Sequence, residues 1–322
     1  MIRLAALTLM LLLNLVAAER WQWRDLPPLP RALGGAFAGV IDHHLIVAGG
    51  SYWRGAPWIP GSEKIFADVI YSLAPGARQW RTLGHLPSPL GYGASFSEPG
   101  VLWLVGGQNA QGARRSILRL NRQGQVVMGG QLPVPLMNMA ASKHESLFYL
   151  LGGQPNLTSC LRSGDLITWE ACDPWPGPGR FFAQATATSD ALYLAGGTDL
   201  KDGQRVFLRD AYRLQKGQWT RLPDLPVPIQ AGFAATRNNV PIVLSGSDGA
   251  LAPFEANLAA DHPGFSPLIW SFNGTSWLPM GRLPYAPVTA TLVDHQGKLV
   301  IAGGEDRPAH RSARVLSGEL LP

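Results

Sequence analysis

The residues best suited to acid–base chemistry lie in one short segment near the C-terminus. An apolar run from Leu299 ends in Gly303 and Gly304, Glu305 follows at once, and Arg311 comes six positions later. A carboxylate can accept a proton from a bound molecule, and a nearby guanidinium can orient that molecule through paired hydrogen bonds. The spacing predicts a strand that delivers an acid and a cation to the loop that follows it.

Both residues also allow plainer interpretations. Glu305 could be a solvated loop acid paired with Arg307, and Arg311 could pair with Asp306 on the same loop. Exposed ion pairs of this kind typically contribute only about 0–1 kcal/mol to stability. His310, beside the arginine, could assist proton transfer, but a single loop histidine is more often just exposed to solvent. The sequence leaves these alternatives open.

The apolar run before Glu305 is one of six similar runs. Each is a short apolar stretch that ends in glycine, and consecutive copies end 57, 46, 44, 49 and 58 residues apart. The copies are LIVAGG at 45–50, LWLVGG at 102–107, FYLLGG at 148–153, LYLAGG at 192–197, IVLSG at 242–246 and LVIAGG at 299–304. A regular interval of about 50 residues indicates six supersecondary units.

A second marker recurs at the same interval: a Trp or apolar residue followed by a Leu-Pro or Pro-rich segment. Clear copies are WRDLPPLP at 23–30, WRTLGHLPSP at 80–89 and WTRLPDLPVP at 219–228. With strand-like segments such as 69–73, these markers define four short strands per unit. The pattern resembles the kelch repeat, whose units form the blades of a β-propeller. We therefore predict an all-β chain that folds as a six-bladed, kelch-type β-propeller over residues 19–322.

The two ends of the chain predict how the ring closes. The residues after Gly304 and those from 19 to 50 together make up one repeat length. The last unit has no Trp-containing strand, whereas residues 21–26 form such a strand with no unit before it. We expect the N-terminal strand to complete the C-terminal blade, which would remove exposed sheet edges and tie the ring shut.

Residues 1–18 have the pattern of a secretory signal peptide. Arg3 precedes an apolar run of 15 residues that ends at Ala18. A membrane anchor usually needs about 20 apolar residues, so cleavage is favoured over anchoring. We expect the mature chain, residues 19–322, to act in a bacterial periplasm without membrane attachment.

The charge pattern argues against nucleic acid as a partner. Charged residues are only 15% of the chain, and the formal net charge is +5. No run of Lys or Arg could follow a phosphate backbone. The glycines and prolines, 37 and 27 in number, are spread along the chain, which indicates many tight turns in one folded unit.

The two cysteines, Cys160 and Cys172, allow more than one state. In an oxidising compartment, two nearby cysteines are more often bridged than reactive, so a disulfide is favoured over two free thiols. No histidine lies at metal-ligand spacing from either cysteine. We predict no metal site and no cofactor.

The loops after the glycine-terminated strands should meet at one mouth of the propeller, where function usually lies in such folds. They mix aromatic, amide and singly charged residues, which suits a sugar better than a lipid or a peptide. Beyond Glu305 and Arg311, the weaker candidates for substrate binding are Arg54, Lys64, Arg114, Glu255 and Asn257. Each of these can also be interpreted as a solvated rim residue.

The loop 304–311 resembles the Gly-Glu loop, with Pro and then Arg, of the sialic acid mutarotases, also called N-acetylneuraminate epimerases. The segments 34–50 and 245–261 resemble other blades of that family. The matches occur in rotated order, as in the branch described as cyclically permuted mutarotases, and residues 49–73 look like the first blade of that branch. The Glu-to-Arg spacing and the long loop of the fifth unit carry this resemblance, which covers most of the mature chain.

The resemblance implies an isomerase that interconverts the α and β anomers of free sialic acid. Ring opening removes a proton from the anomeric hydroxyl and supplies one to the ring oxygen, which calls for general acid–base catalysis. By the resemblance, Glu305 would be the proton acceptor, and Arg311 would orient the reacting centre through the substrate carboxylate. The implied partner is a small sugar acid, and the sequence does not indicate an oligomeric state.

Three other functions fit parts of the pattern. A propeller sialidase should carry several Asp-box repeats, and SGDLITW at 163–169 is one shortened copy that lacks the glycine of the motif. Copper chemistry of the galactose-oxidase type needs Tyr and His ligands with a Cys near a Tyr, which this chain does not offer. The serious alternative is a secreted, non-catalytic propeller that binds a glycan or a protein. Such a module has no need for Glu305 and a cation to face one another.

Overall fold

The computed structural model describes residues 21–154 and 158–321, and the predicted signal peptide, residues 1–18, lies outside them. Within the described residues, six antiparallel sheets are arranged as the blades of a propeller, which confirms the predicted fold class. From the innermost to the outermost strand, blade 1 consists of Phe37–Ile41, His44–Ala48, Val69–Leu73 and Arg81–His85, and blade 2 of Ala94–Glu98, Val101–Val105, Gly112–Asn121 and Val126–Leu136. In the same order, blade 3 consists of Ala140–His144, Leu147–Leu151, Cys160–Ser163 and Glu170–Ala171, and blade 4 of Gln184–Ala187, Leu192–Ala195, Ala211–Gln215 and Gln218–Leu222. Blade 5 consists of Phe233–Arg237, Val240–Leu244, Leu268–Phe272 and Trp277–Arg282, and blade 6 of Thr291–His295, Lys298–Ala302, Val315–Leu320 and Trp21–Leu26.

Short extra elements rise from most blades between the second and third strands. They are Ser51–Arg54 with Glu63–Phe66 in blade 1, Gln108–Asn109 in blade 2, Thr198–Lys201 with Gln204–Phe207 in blade 4, Glu305–Arg307 with His310–Arg311 in blade 6, and the helical turns Ala252–Phe254, Glu255–Leu258 and Ala259–Asp261 in blade 5. These elements stand over one mouth of the channel. In the described part of the chain, no helix has the length and apolar character needed to cross a membrane.

The ring closes as the two chain ends predict. Trp21–Leu26 pairs antiparallel with Val315–Leu320, with Trp21 opposite Leu320 and Leu26 opposite Val315. Arg314 also donates to both carboxylate oxygens of Asp25, at 2.6 and 3.2 Å. The first described strand therefore supplies the outer edge of the last blade, and the two ends of the chain hold each other in place.

The core of the molecule lies between blades. Among the described residues, the buried apolar side chains form six clusters, one at each interface between neighbouring blades. The second strand of every blade is covered on both faces, which is why these strands read as continuous apolar runs such as LIVA rather than as alternating patterns. Stability therefore depends on each blade having two neighbours.

The double glycines end these buried strands because no side chain fits there. Gly303 and Gly304 have φ values of 70° and 92°, in the left-handed region that disfavours other residues. A Cβ atom on Gly303 would lie 2.5 Å from the carbonyl oxygen of Leu33, and one on Gly304 would lie 2.6 Å from that of Val288. The tight turn leads the chain directly from the buried strand into the mouth loop.

The second sequence marker links neighbouring blades. The indole nitrogen of Trp80 donates to the carbonyl oxygen of Pro27, and that of Trp277 donates to the carbonyl oxygen of Pro223, at 2.8 and 3.0 Å. In each case the Trp side chain reaches the Leu-Pro segment of the blade before it. Trp219 makes the same contact with the carbonyl oxygen of Asp173 at 2.9 Å. The Trp and Leu-Pro markers recur together because they contact one another across the blade interfaces.

A closed ring of backbone hydrogen bonds encircles the channel where the inner strands begin. Each N–H donates to the carbonyl oxygen of the equivalent residue in the preceding blade, at 2.6–3.0 Å; the residues are Gly35, Tyr92, Asn138, Phe182, Ala231 and Thr289. All six have φ between 49° and 65°, a conformation that costs a non-glycine residue roughly 1–2 kcal/mol. The six bonds help to offset this cost. We call this feature the neck; below it the channel holds a cavity of about 230 Å³.

Cys160 and Cys172 form a disulfide in the structure. Cys160 begins the third strand of blade 3 and is almost fully buried, and Cys172 follows the outermost strand of the same blade. The backbone supports the bridge, since the N–H of Cys172 donates to the carbonyl oxygen of Cys160 at 3.0 Å. The bridge holds the outer edge of blade 3, whose fourth strand is only two residues long.

Candidate functional site

A cavity of about 270 Å³ opens at the mouth of the channel, directly above the neck. This volume is close to the lower end of the range for small-molecule sites, about 300–1,000 Å³. Its charged lining residues are Lys64, Arg205, Glu255, Glu305 and Arg311, and its main apolar and aromatic ones are Trp53, Trp58, Phe182, Phe265 and Pro308. Three cations against two carboxyl groups give the wall a net positive charge. Within the described residues, no group of three or more His, Cys, Asp or Glu side chains could hold a metal ion.

Glu305 reaches this cavity because of its position in the repeat. In each of the six blades, the residue after the last glycine of the apolar run pairs with the backbone just before an inner strand; these residues are Ser51, Gln108, Gln154, Thr198, Ser247 and Glu305. Three of them, Gln108, Ser247 and Glu305, line the mouth cavity. Blade 6 alone among the six places a carboxylate at this position, and the other five residues are neutral.

The carboxylate of Glu305 is held by donors on both of its oxygens. Oε1 accepts a hydrogen bond from the hydroxyl of Thr289 at 2.8 Å and also forms an ion pair with Nη1 of Arg311. Oε2 accepts a hydrogen bond from the backbone N–H of Ala309 at 2.8 Å. The side chain is 15% exposed, so it remains open to the cavity. This arrangement fixes the orientation of the carboxylate.

Arg311 lies beside Glu305 and is more deeply buried, with 6% of its side chain exposed. Its Nη2 donates to the hydroxyl of Tyr92 at 2.9 Å and to that of Ser51 at 3.2 Å. A Cβ atom on Gly34 would lie 2.8 Å from Nε of Arg311, so the glycine leaves room for the guanidinium. Arg311 therefore pairs with Glu305 rather than with Asp306, the alternative that the sequence allowed.

Lys64 is the second cation on the wall. Its ammonium lies 4.2 Å from the ring centroid of Tyr92 and 5.3 Å from that of Phe66. Among the described residues it has no carboxylate partner within ion-pair distance. A cation held over aromatic rings in this way keeps its charge available to a ligand. Trp58, on the same loop, donates from its indole to the carbonyl oxygen of Pro308 at 3.3 Å and so connects the loops of blades 1 and 6.

Glu255 and Arg205 bring charge from the opposite side, from blades 5 and 4. Burial raises the pKa of Glu255, the positive charge of Arg205 opposes this shift, and the negative charge of Glu305 adds to it. The two carboxyl groups of the cavity are thus close enough to influence one another. Their surroundings differ, since Glu305 contacts a guanidinium directly and Glu255 does not.

The other predicted binding residues do not line the cavity. Arg54 forms an exposed ion pair with Glu63 at 3.6 Å. Arg114 lies on the strand Gly112–Asn121 and is exposed, and Asn257 is exposed on the helical turn of blade 5. The structure thus brings four of the seven predicted site residues together, namely Glu305, Arg311, Lys64 and Glu255.

The remaining charged residues of the last loop pair with one another. Asp306 contacts Nδ1 of His310 at 2.7 Å and Nε of Arg307 at 3.4 Å. Arg307 also donates to the carbonyl oxygen of Ala260 in the long loop of blade 5, at 2.9 Å. Arg307 therefore pairs with Asp306 and not with Glu305. None of these three side chains lines the mouth cavity.

Sequence reasoning missed Tyr92, Phe182 and Thr289, which contribute side chains to the cavity from the neck. A signal was available in the sequence. All three occupy the repeat position just before the inner strand, which is Gly35 in blade 1 and Ala231 in blade 5. The six copies of this position range from glycine to tyrosine and phenylalanine, although their backbone conformation is the same. Alignment of the repeats on the inner strands, rather than on the double glycines, would have shown this.

These features define a six-bladed β-propeller whose mouth holds a small, positively charged cavity with an acid–guanidinium pair. The chain is 34% identical to N-acetylneuraminate epimerase 1 of Escherichia coli O6:H1 over 105 residues, and to the N-acetylneuraminate epimerases of Brucella suis and Yersinia pestis over 126 and 122 residues. The matches cover 29%, 34% and 32% of this chain, and 28%, 32% and 30% of those relatives. The chain thus spans less than a third of the length of each curated relative in these alignments. These relatives confirm the resemblance that the loop motifs predicted.

Comparison of structures supports the fold over nearly the whole chain. The solved structure of YjhT matches with a TM-score of 0.69 and 17% sequence identity, over 90% of this chain and 95% of that chain. At this identity the likeness shows the fold alone. No family model matches the chain.

Proposed function

We propose that this protein is a mutarotase that interconverts the α and β anomers of free N-acetylneuraminate. The observation that carries the proposal is the contact between Glu305 and Arg311 on the wall of a sugar-sized cavity with net positive charge. The relatives named N-acetylneuraminate epimerase support the same class of reaction. We further propose that residues 1–18 direct the chain to the periplasm and are then removed.

The reaction needs a proton acceptor and a proton donor. The substrate is a cyclic hemiketal whose anomeric carbon carries both a hydroxyl and a carboxylate. Glu305 accepts the proton of the anomeric hydroxyl, the bond from the anomeric carbon to the ring oxygen breaks, and the ring oxygen takes up a proton. After rotation of the resulting ketone, the ring oxygen attacks the other face and the proton transfers reverse. No proton or electron is gained or lost overall.

The structure supports Glu305 in this role because its surroundings hold it ready to react. Thr289 and the N–H of Ala309 fix the two carboxylate oxygens, and Arg311 prevents the side chain from turning away. A base held in place before the substrate binds loses little entropy in the reaction. The neck directly below the carboxylate supplies this rigidity, since Thr289 belongs to it.

The substrate carboxylate requires a cation, and the cavity supplies more than one. Arg311 lies next to the base and orients the reacting centre in this proposal, although its present contacts are with Glu305, Tyr92 and Ser51. Lys64 lines the same wall and has no carboxylate partner among the described residues. We assign Lys64 to attraction of the substrate carboxylate and Arg311 to its final orientation.

The division of roles between the two cations predicts a selective effect of Lys64→Met. We expect KM to rise about tenfold, equivalent to about 1.4 kcal/mol of binding, with kcat within threefold of the native value. A cation that attracts the substrate contributes equally to the ground state and the transition state, so its loss affects KM. Steady-state kinetics measure both constants.

Arg54→Met is the matched control, because it removes a cation from the same hairpin but away from the cavity. This variant should have native kinetics. Equal effects of the two substitutions would show that Lys64 acts only through overall charge.

The proposal itself is tested by proton NMR on α-N-acetylneuraminate released freshly from a glycoside. We expect the rate of α-to-β equilibration to rise in proportion to the concentration of added protein, above the rate in buffer and with heat-denatured protein. If native protein equilibrates the sugar no faster than buffer does, the protein is not a mutarotase. A saturable shift of the sugar signals without faster equilibration would instead identify a non-catalytic binding module.

A further inference from the structure

The carboxyl group of Glu255 is placed in the cavity without a fixed partner. The residue begins the helical turn Glu255–Leu258 in the long loop of blade 5 and is partly buried. Among the described residues, no hydrogen bond or ion pair engages its carboxyl group. Partial burial without a partner makes the ionised form of a carboxyl group less favourable than it is in water. Glu255 and Glu305 line the same cavity, so both can reach a molecule bound there.

The charges that face Glu255 come from several elements. In the mouth cavity these are Arg205, Lys64, Arg311 and Glu305. Glu255 also lines a second cavity, of about 310 Å³, whose wall includes Asp248 and His262. Burial is the largest influence on the pKa of Glu255 and raises it; Glu305 raises it further, and Arg205 acts in the opposite direction. The protonated form is therefore available at higher pH than for an ordinary glutamate.

The carboxylate of Glu305, unlike that of Glu255, is surrounded by hydrogen-bond donors. Every group that touches its carboxylate is a donor: the hydroxyl of Thr289, the N–H of Ala309 and the guanidinium of Arg311. Both of its oxygens are thus engaged as acceptors. This leaves little freedom for the same carboxyl group to swing between the anomeric hydroxyl and the ring oxygen. Two carboxyl groups with such different surroundings are the usual arrangement for a base and an acid.

We propose that Glu255 is the proton donor that completes the reaction of Glu305. This inference rests on the proposed mutarotase function. During ring opening, Glu305 takes the proton of the anomeric hydroxyl while Glu255 gives its proton to the ring oxygen, as the bond between the ring oxygen and the anomeric carbon breaks. During closure on the other face, Glu255 takes the proton back from the sugar hydroxyl, and Glu305 returns its own to the new anomeric oxygen. Both residues end in their starting states.

The test is Glu255→Gln, which keeps the size and polarity of the side chain but removes the transferable proton. We expect kcat to fall about 100-fold, within the range for loss of a general acid, and KM to stay within threefold. In the native protein, kcat should decline as pH rises through the pKa of Glu255, because the acid is then deprotonated. The variant should lack this decline. Glu255→Asp keeps the acid and should recover at least tenfold of the lost kcat.

Asn257→Ala is the matched control on the same helical turn, since Asn257 is exposed and does not line the cavity. It should have native kcat and the native pH profile. If Glu255→Gln keeps kcat within threefold, or raises KM without changing the pH profile, Glu255 is not the proton donor, although the mutarotase function stands. If the native protein itself fails to accelerate equilibration, both the function and this inference are wrong.

Discussion

Replacement of Glu305 with glutamine is expected to lower kcat for mutarotation by about 10²–10⁴-fold, the range associated with loss of a general base. Glutamine has nearly the same shape, and its amide oxygen can still accept a hydrogen bond from Thr289 or Ala309. It cannot accept the proton of the anomeric hydroxyl. Arg311 would lose the carboxylate with which it pairs and could bind the substrate carboxylate without competition. We therefore expect KM to be unchanged or lower.

The matched control for this variant is Asp306→Asn. Asp306 is the next residue in the chain, but it pairs with His310 and Arg307 and does not line the mouth cavity. Its substitution should leave kcat within threefold of the native value. Circular dichroism and thermal unfolding establish that both variants fold. A Glu305→Gln protein with kcat within threefold of native would show that another group is the base.

The features that the sequence predicted depend on local, repeated patterns. An apolar run that ends in glycine indicates one tight turn, and six copies of such a run indicate six blades. Ring closure could be predicted from the missing strand in the last unit and the surplus strand at the start. Glu305 was singled out because it is a departure from this regular pattern. Each of these inferences compares local patterns along the chain and needs no knowledge of side-chain positions.

The partners of Glu305 and Arg311 could not be predicted in this way. Tyr92 and Ser51, which hold Arg311, lie 219 and 260 residues away from it in the chain. They meet it because the ring brings blades 1, 2 and 6 together at one mouth. The repeat predicts which blades are neighbours but not the heights and angles of individual side chains above the channel.

The difference between Lys64 and Arg54 has a simple geometric cause. In the hairpin of blade 1, Lys64 pairs with Trp53 and Arg54 pairs with Glu63. Successive residues of a strand point to opposite faces. Only one of these two pairs can face the cavity, and it is the pair of Lys64 and Trp53. The register of the hairpin decides which pair faces the cavity. The sequence of the loop between the two strands does not reveal that register. Glu255 and Asn257 differ for a similar reason, since helical residues two apart do not share a face.

The largest effect on stability is expected at a buried ion pair on the other side of the ring, between Arg180 and Asp210. Arg180 is fully buried, and its two terminal nitrogens donate to the two oxygens of Asp210 at 3.1 and 2.8 Å. The hydroxyl of Tyr212 donates to the same carboxylate at 2.5 Å, and its pKa is raised to about 12, first by burial and then by this hydrogen bond. The rings of Trp175 and Tyr212 lie 5.3 and 5.2 Å from the guanidinium. The pair therefore stands inside the interface of blades 3 and 4, where water does not reach the arginine.

Asp210→Ala is expected to lower the free energy of unfolding by about 3–5 kcal/mol, because it leaves the buried guanidinium without a counter-charge. The double variant Arg180→Met/Asp210→Ala removes both charges and should recover a large part of this loss. Urea unfolding of the native protein and of the three variants, including Arg180→Met alone, gives the coupling energy. Neither residue lines the mouth cavity, so kcat per folded molecule should remain native in every variant. If Asp210→Ala unfolds with a native midpoint, the pair is not a source of stability, and the other contacts between blades 3 and 4 hold their interface.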